Sequence, residues 1–262
     1  GDEALPRNSL IQGLTVGILA SMGVATPLVH RRPIVTILGS GTELVDIQEA
    51  PKRGQIRDSN RYVLAALSRN SGAQVVETDR IADSRQQLED AIARGLDSDV
   101  LVLSGGVSAG VYDLVAPALD KLGVKTLFHK VAMKPGKPLL FARHADTLIF
   151  GLPGNPVSTY VTGILFLSPA LQVLSGRPPG LFNLQAELTG ELAATGRRET
   201  VHPAVLSQRL DGVFQVSPLE WRGSADQAAF ARANCFIRRR AMAPALTAGE
   251  LVRVQCLQMP LR

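Results

Sequence analysis

From residue 33 to residue 175 the chain alternates short apolar runs with amphipathic stretches. Short apolar runs predict strands, and apolar positions three and four residues apart predict helices. The predicted strands are 33–38, 74–77, 99–103, 124–131, 139–142 and 147–150. This alternation predicts an α/β domain in three layers, a mostly parallel sheet with helices on both faces.

Several predicted helices carry start or break signals. Start signals are Ser59, the capping pair Ser84 and Gln87, Asp113, and Asn155 followed by Pro156. These residue types favour helix N-termini because their side chains accept hydrogen bonds from free backbone N–H groups, or because proline needs no such bond. Pro169 is expected to kink or restart the last helix, which runs toward Ser175.

The pattern changes at residues 176–180, which are rich in glycine and proline. Beyond them helical spacing disappears, and the predicted strands are 184–188, 200–206, 213–216, 235–237 and 251–256. Such short alternating runs predict a small β-barrel-like C-terminal domain. We therefore expect an α/β domain in residues 31–178 and a β domain in residues 179–262. Residues 1–30 are expected to be the remnant of a preceding domain, a helix closed by Gly23 and a strand at 24–29.

Composition narrows the class of protein. The formal net charge is +5, and five of the six lysines lie within residues 121–137, which indicates either a solvated face or a site for an anion. Aromatic residues make up 5% of the chain and no zinc or RNA-binding signature is present, so no nucleic-acid partner is expected.

The uncharged residues 10–29 contain glycine and proline and divide into helix and strand, so no membrane segment is expected. Cys235 and Cys256 stand apart from other metal ligands, which favours a reducing, cytoplasmic location.

Three turns rich in glycine and hydroxyl residues follow predicted strands, at 40–43, 104–110 and 151–158. In open α/β sheets ligands bind beyond the carboxyl ends of the strands, where glycines let backbone N–H groups approach an oxyanion. One such turn alone would be an ordinary tight turn. Three at one edge predict a site for an anionic ligand.

Acidic residues near these turns are candidates for metal binding. Asp58, Asp83 and Asp113 lie at or near predicted helix starts, where helix capping explains them as well. Glu43 has no such explanation, and a carboxylate beside a phosphate-binding turn is typical of a site with a bridging divalent cation.

Other motifs point to different chemistry. The P-loop pattern is absent, and Leu44 stands where a dinucleotide fingerprint beginning at Gly39 needs its third glycine. Gly106-Val107-Ser108-Ala109-Gly110 matches the nucleophile elbow of serine hydrolases, with His202 and Asp120 or Asp146 as partners. An elbow needs a helix directly after its serine, whereas the next helix here is expected only at Asp113. The hydrolase is therefore the weaker alternative.

Taken together, several segments closely resemble molybdopterin molybdenumtransferase, the family of the bacterial molybdenum-insertion enzymes and the E domain of gephyrin. They are Gln55-Ile56-Arg57-Asp58-Ser59-Asn60, Ser104-Gly105-Gly106-Val107-Ser108 followed by Asp113, Met133-Lys134-Pro135-Gly136-Lys137-Pro138, and Gly151-Leu152-Pro153-Gly154-Asn155-Pro156-Val157-Ser158. The resemblance covers residues 1–180 in order and spacing. It implies a molybdopterin-binding α/β domain, a β-barrel-like domain and a homodimer. The implied reaction, dependent on Mg²⁺, inserts molybdenum from molybdate into adenylated molybdopterin and releases AMP.

The resemblance also assigns roles to residues of this chain. The implied catalytic residues are Asp113, Glu43, Asp83, Lys130 and Lys134, of which Glu43 and Asp113 would bind the metal. The residues implied to bind molybdopterin or molybdate are Ser104, Gly105, Gly106, Ser108, Asn60, Lys137, Pro153, Gly154, Asn155 and Ser158.

The chain departs from the family pattern in two respects. Thr42 stands where the family commonly has an aspartate before Glu43. The family's N-terminal domains, which complete the cleft of a partner subunit, are almost entirely missing, so this chain alone is expected to bind ligand even if it does not turn it over. Two alternatives therefore stay open, a molybdopterin adenylyltransferase and a non-catalytic binding or scaffold protein.

Overall fold

The computed structural model describes residues 2–81, 84–105 and 112–257. The helices are α1 (Leu14–Ser21), α2 (Asn60–Asn70), α3 (Arg85–Gly95), α4 (Tyr112–Lys121), α5 (Pro156–Thr162), α6 (Ser168–Leu174) and α7 (Gln227–Ala231). The first nine strands are β1 (Ile34–Ser40), β2 (Leu44–Val45), β3 (Ile56–Arg57), β4 (Gln74–Ile81), β5 (Val100–Ser104), β6 (Lys125–His129), β7 (Met133–Lys134), β8 (Leu140–His144) and β9 (Thr147–Leu152). The other five are β10 (Asn183–Leu188), β11 (Glu199–Gln208), β12 (Phe214–Pro218), β13 (Cys235–Arg239) and β14 (Leu251–Cys256).

A six-stranded sheet in the order β4-β1-β5-β9-β8-β6 forms the first domain. The first four strands of this order are parallel, and β8 and β6 are added antiparallel at one edge. Leu101 and Leu103 of β5 pack with α3 and α4, whereas Val100 and Val102 pack with α2 and α6 on the other face. β5 is apolar throughout because both of its faces are covered. The predicted three-layer α/β architecture is confirmed.

The long apolar segment near the carboxyl end of this domain is helical throughout. A π-helical segment, Gly163–Leu167, separates α5 from α6, and Pro169 lies in the first turn of α6, where its missing N–H costs little. The run Pro156–Leu174 is long and apolar enough to cross a membrane, but 56% of it is buried in this fold. It packs against the sheet as a core helix.

Strands β10 to β14 close into a small barrel in the order β12-β10-β14-β13-β11, since β12 also pairs with β11. All five strands predicted in this region are present. β7, from the middle of the chain, pairs in parallel with the start of β11 and so belongs to the barrel sheet. The boundary near residue 178 stays a prediction, but the loop that holds Met133 and Lys134 joins the two domains.

The first thirty residues differ from the expectation in one element. The helix is present as α1, and Gly23, with φ 73°, ends it as predicted. The strand expected at 24–29 is wrong, because this segment pairs with no strand among the described residues and Pro27 has no N–H to donate. An apolar run becomes a strand only when a neighbouring strand takes its hydrogen bonds.

Cys235 and Cys256 lie directly opposite each other on β13 and β14, with both thiols free in the barrel core. Burial raises the pKa of Cys235 to about 12 and also raises the pKa of Cys256. Because the thiolate is the reactive form, we expect neither thiol to react with iodoacetamide at pH 8 in the folded protein. Both should react in denaturant, and mass spectrometry counts the adducts. Labelling of the folded chain at the rate of a short cysteine peptide would contradict this prediction.

Candidate functional site

The three glycine-bearing turns meet at the carboxyl-terminal edge of β1, β5 and β9. The strand registers align Gly39 with Ser104 and Ser104 with Leu152, so the turns leave the sheet at one level. A Cβ atom placed on Gly105 would lie 2.5 Å from the carbonyl oxygen of Ser40, and one placed on Gly154 would lie 3.6 Å from Cα of Gly105. The second turn is therefore in direct backbone contact with both the first turn and the third.

Gly105 is the residue that allows this approach. Its φ is +81°, in the left-handed region that side chains disfavour, and its N–H donates to the carbonyl oxygen of Leu152 at 3.2 Å. Ser104, just before it, is a buried residue at the end of β5. The second turn is thus fixed at its start by the sheet and by the third turn.

The N-terminus of α2 is tied to the same edge. Asn60 donates a hydrogen bond from Nδ2 to the carbonyl oxygen of Gly154 at 2.8 Å. Asp58 is buried and accepts from the backbone N–H and Nε of Arg61 at 3.3 and 2.5 Å. Ser59 stands at the N-cap without a side-chain hydrogen bond, so Asp58 takes the capping role predicted for Ser59.

Glu43 lies at the rim of the first turn. Its side chain is exposed, and its carboxylate oxygens lie 2.9 and 3.0 Å from the Cβ position of Gly41. No cluster of three or more metal-ligating side chains occurs within residues 2–81, 84–105 and 112–257. Mg²⁺ is often bound through one or two carboxylates together with substrate phosphates and water, so a carboxylate in this position fits that ion when a phosphorylated ligand supplies the remaining oxygens.

Some predicted site residues lie outside the described part of the chain. They are Gly106, Ser108 and Asp83. Asp113 is the second residue of α4, inside its first turn and not at the predicted N-cap position, and its side chain is outside the described residues. Of the residues in the hydrolase alternative, Ser108 lies outside the described residues. His202 lies on β11 of the barrel, Asp120 lies in α4, and Asp146 lies in the turn between β8 and β9.

The lysine-bearing loop between β6 and β8 packs against α5. A Cβ atom on Gly136 would lie 2.6 Å from Cγ2 of Thr162, and Ser158, only 4% exposed, is buried. The N–H of Val131 donates to the carbonyl oxygen of Lys137 at 2.9 Å, which closes the loop. Lys130, Lys134 and Lys137 are all exposed, and Lys134 points toward the barrel.

A cavity of about 400 Å³ lies between this loop and the barrel. We call it the cationic cavity, because four positively charged side chains line it and no carboxylate does among the described residues: Lys134, Arg197, Arg198 and Arg239. The strand pairing explains the grouping. Thr200 of β11 is paired with Lys134 on one side and with Arg239 on the other, and paired residues share one face of a sheet.

Arg239 places a positive charge inside the barrel. It is 6% exposed, and its guanidinium donates to the carbonyl oxygens of Leu192, Ala193 and Pro244. Burial lowers the pKa of Arg239 without neutralising a group of that basicity. These carbonyl oxygens satisfy its hydrogen bonds but carry no net charge, and the carboxylate that attracts Arg239, that of Glu250, is exposed to solvent, so an anion in the cavity is still favoured. Nζ of Lys134 lies 5.7 Å from the ring centre of Trp221 in the same wall.

The third turn connects the sheet edge to this cavity. Asn155 occupies the predicted N-cap position of α5, but its side chain does not cap the helix; Nδ2 donates to Oγ of Ser224 at 2.9 Å. The N–H of Val157 donates to the carbonyl oxygen of Ser224 at 3.2 Å, and the neighbouring Gly223 lines the cavity. The turns and the cationic cavity therefore form one continuous surface.

The sequence analysis did not predict the residues that the barrel contributes to this surface. The missed residues are Arg197, Arg198, Ser224, Trp221 and Arg239, and His202 was considered only as a hydrolase partner. Arg239 lies in the middle of a run of three arginines, and Arg197 and Arg198 are adjacent, but short runs of charge are usually solvated, so these runs alone do not identify the site.

Fold and site together define a class of protein in which the glycine turns of an α/β sheet lie next to the cationic wall of a small barrel. Residues 36–173 match the family described as a probable molybdopterin binding domain, and residues 185–257 match the MoeA C-terminal region (domain IV). The chain belongs to the molybdopterin-binding domain family, in agreement with the resemblance of its motifs.

Known relatives extend this likeness over most of the chain. A protein of Haemophilus influenzae named molybdopterin molybdenumtransferase is 31% identical over 261 residues, covering 97% of this chain and 64% of that protein. A Nostoc protein of the same name is 36% identical over 206 residues, covering 76% of this chain and 47% of that protein. The solved structure of a molybdopterin biosynthesis moea protein from Pyrococcus horikosii has a TM-score of 0.82 at 26% identity, covering 97% of this chain and 61% of that one. The chain thus spans between 47% and 64% of the lengths of these three relatives.

Proposed function

We propose that this chain is the molybdopterin- and molybdate-binding part of an enzyme that inserts molybdenum into adenylated molybdopterin. The observation that carries the proposal is the continuity between the three glycine turns and the cationic cavity, through Asn155 and Ser224. A phosphorylated pterin and an oxyanion of molybdenum are both negatively charged, and insertion requires that they bind side by side. The names of the relatives support the same function.

The two halves of the surface suit the two substrates. Backbone N–H groups of glycine turns bind phosphate oxygens, which assigns the pterin phosphate to the turns around Gly105 and Gly154. Guanidinium and ammonium groups bind a tetrahedral dianion from several sides, which assigns molybdate to the cavity with Lys134 and Arg239. Lys130 and Lys137, exposed in the same loop, would neutralise further phosphate charge.

Release of AMP requires stabilisation of the charge that develops on its phosphate. Fixed cations and oriented N–H groups lower the barrier by this means. Bound Mg²⁺ would neutralise phosphate charge in addition, held by Glu43 and by Asp113, with Asp83 as a further acidic group of the site. Asn60 and Pro153 would position the third turn, since Asn60 binds Gly154 and the carbonyl oxygen of Pro153 accepts from Thr159.

The proposal includes a homodimer in a reducing, cytoplasmic compartment. α1 has no buried residue, and Leu14 is 81% exposed, so this part of the chain presents an apolar surface of the kind that subunits cover. The two free thiols in the barrel core fit a reducing compartment.

The test measures AMP release and pterin-bound molybdenum after mixing the protein with adenylated molybdopterin, Mg²⁺ and molybdate. We expect AMP release that depends on molybdate in the full-length protein, and binding of the adenylate by this chain alone. Formation of adenylate from molybdopterin and ATP would favour the adenylyltransferase instead, and binding without turnover in the full-length protein would favour the scaffold. Failure of this chain to bind molybdopterin or its adenylate would contradict the proposal.

A further inference from the structure

His202 stands in a wall shared by two cavities. On one side is the cationic cavity, and on the other a second cavity of about 500 Å³ between the barrel strands and the segment around Trp221. His202 lies two residues beyond Thr200 on β11, so its side chain is on the same face as Thr200. Its ring meets the ring of Trp221 edge to face, with centres 6.2 Å apart.

Charged groups face His202 from both sides. From the cationic cavity they are Lys134, Arg197, Arg198 and Arg239. From the second cavity they are Glu191, Glu220 and Arg222, all of which are exposed to solvent. The exposed carboxylates are screened by water, whereas Arg239 is buried, so the cations dominate the potential at the ring.

These cations therefore disfavour the protonated form of the ring when the cavity holds no anion. Burial lowers the pKa of His202, and Arg239 and Lys134 lower it further, although the carbonyl oxygen of Pro203 acts in the opposite direction. Nδ1 lies 3.4 Å from that oxygen, which favours the tautomer with its proton on Nδ1 and leaves Nε2 free to take up a second proton. A dianion in the cavity would offset the neighbouring cations and favour the imidazolium form.

We propose that oxyanion binding in the cationic cavity is linked to protonation of His202, so that the cavity takes up molybdate together with one proton from solvent. The proposal rests on the function proposed above and deepens it, since it names the regulation of the same site. Lysine and arginine stay charged between pH 6 and pH 8, whereas histidine is the side chain whose ordinary pKa lies in this range. If molybdate binding is linked to proton uptake by His202, molybdate must bind more tightly at lower pH.

Molybdate binding can be followed by the fluorescence of Trp221, because Trp221 is the only tryptophan in the chain and lies in the cavity wall. Sodium molybdate is titrated into this chain at constant ionic strength at pH 6, 7 and 8, with tryptophan fluorescence as the signal and sodium chloride as the blank. We expect the Kd for molybdate to fall by about three- to tenfold for each unit decrease in pH, the upper value being the limit for uptake of one proton. Calorimetry in two buffers of different ionisation enthalpy should show net proton uptake.

The matched variants are His202→Gln, which keeps a polar side chain of similar reach but does not titrate, and His144→Gln, at the end of β8 away from both cavities. We expect His202→Gln to bind molybdate with a Kd independent of pH, and His144→Gln to behave as the unmodified chain. If His202→Gln fails to fold, NMR titration of the imidazole C–H signals in the unmodified chain gives the same answer, since saturating molybdate must raise the pKa of His202.

The outcomes separate the two proposals. Absence of molybdate binding at every pH would overturn the oxyanion site and the proton linkage together. Binding with a Kd that does not vary with pH, or that varies equally in His202→Gln, would overturn the proton linkage and leave the site standing. An unchanged pKa of His202 on saturation with molybdate would likewise refute it.

Discussion

Replacing Gly105 by alanine is expected to weaken ligand binding at the three turns and to destabilise the fold more than the same change at Gly123. Both glycines have a positive φ, +81° and +71°, so both substitutions place an alanine in the left-handed region, at a cost of about 1–2 kcal/mol. At Gly123, two residues after the end of α4, a new Cβ meets nothing within 4 Å. At Gly105 it would lie 2.5 Å from the carbonyl oxygen of Ser40, which is backbone and cannot rotate away.

The difference in stability between the two variants therefore measures the effect of the contact between the first and second turns. We expect Gly105→Ala to lower the free energy of unfolding by about 2 kcal/mol more than Gly123→Ala, in the range of strained or overpacked sites. Separation of the turns also misplaces backbone donors, each worth about 1.5–3 kcal/mol toward a charged acceptor, so binding of adenylated molybdopterin should weaken by about tenfold or more. Denaturant titration and equilibrium binding measure the two effects. Equal losses in both variants would mean that the turns do not depend on this contact.

Lys134→Ala is expected to cause the largest loss of molybdate binding among single lysine substitutions. Lys134 lines the cationic cavity next to Trp221 and is paired through the backbone with Thr200. A charged hydrogen bond contributes about 1.5–3 kcal/mol, so the Kd for molybdate should rise by about ten- to a hundredfold. In the full-length protein molybdenum insertion should be lost.

Lys125→Ala is the matched control. It removes the same charge from the same lysine-rich part of the sequence, but Lys125 lies on the edge strand β6 and does not line the cavity. We expect its Kd for molybdate to stay within about twofold of the unmodified chain, the size of a screened long-range effect. Tryptophan fluorescence provides the titration signal for both variants. A similar loss in both would show that total charge, and not the cavity, determines binding.

Local pattern was enough to predict the six strands of the first sheet, the five strands of the barrel, most helices and the turns, but not the two-residue strands β2, β3 and β7. β5 is apolar throughout because it is buried on both faces, and the five barrel strands follow from alternation of apolar and polar residues. The meeting of the three turns could also be predicted, because parallel strands end at the same edge of a sheet.

Side-chain partners could not be predicted in the same way. Asn155 is a good capping residue and stands at the N-cap, but its amide binds Ser224 of the barrel instead. Residues 24–29 are apolar enough for a strand, yet no described neighbour completes their hydrogen bonds. A residue type sets which bonds are available, whereas the surrounding fold decides which one forms.

The sequence by itself determined most of the secondary structure, the order of the two domains and the glycine turns, because each depends on residues close together in the chain. The cationic cavity, in contrast, is formed only in the tertiary structure. Lys134, Thr200 and Arg239 are far apart in sequence and become neighbours only through the pairing of β7, β11 and β13. Strand register is a long-range property set by burial of one face of the barrel, and no local pattern of charges records it.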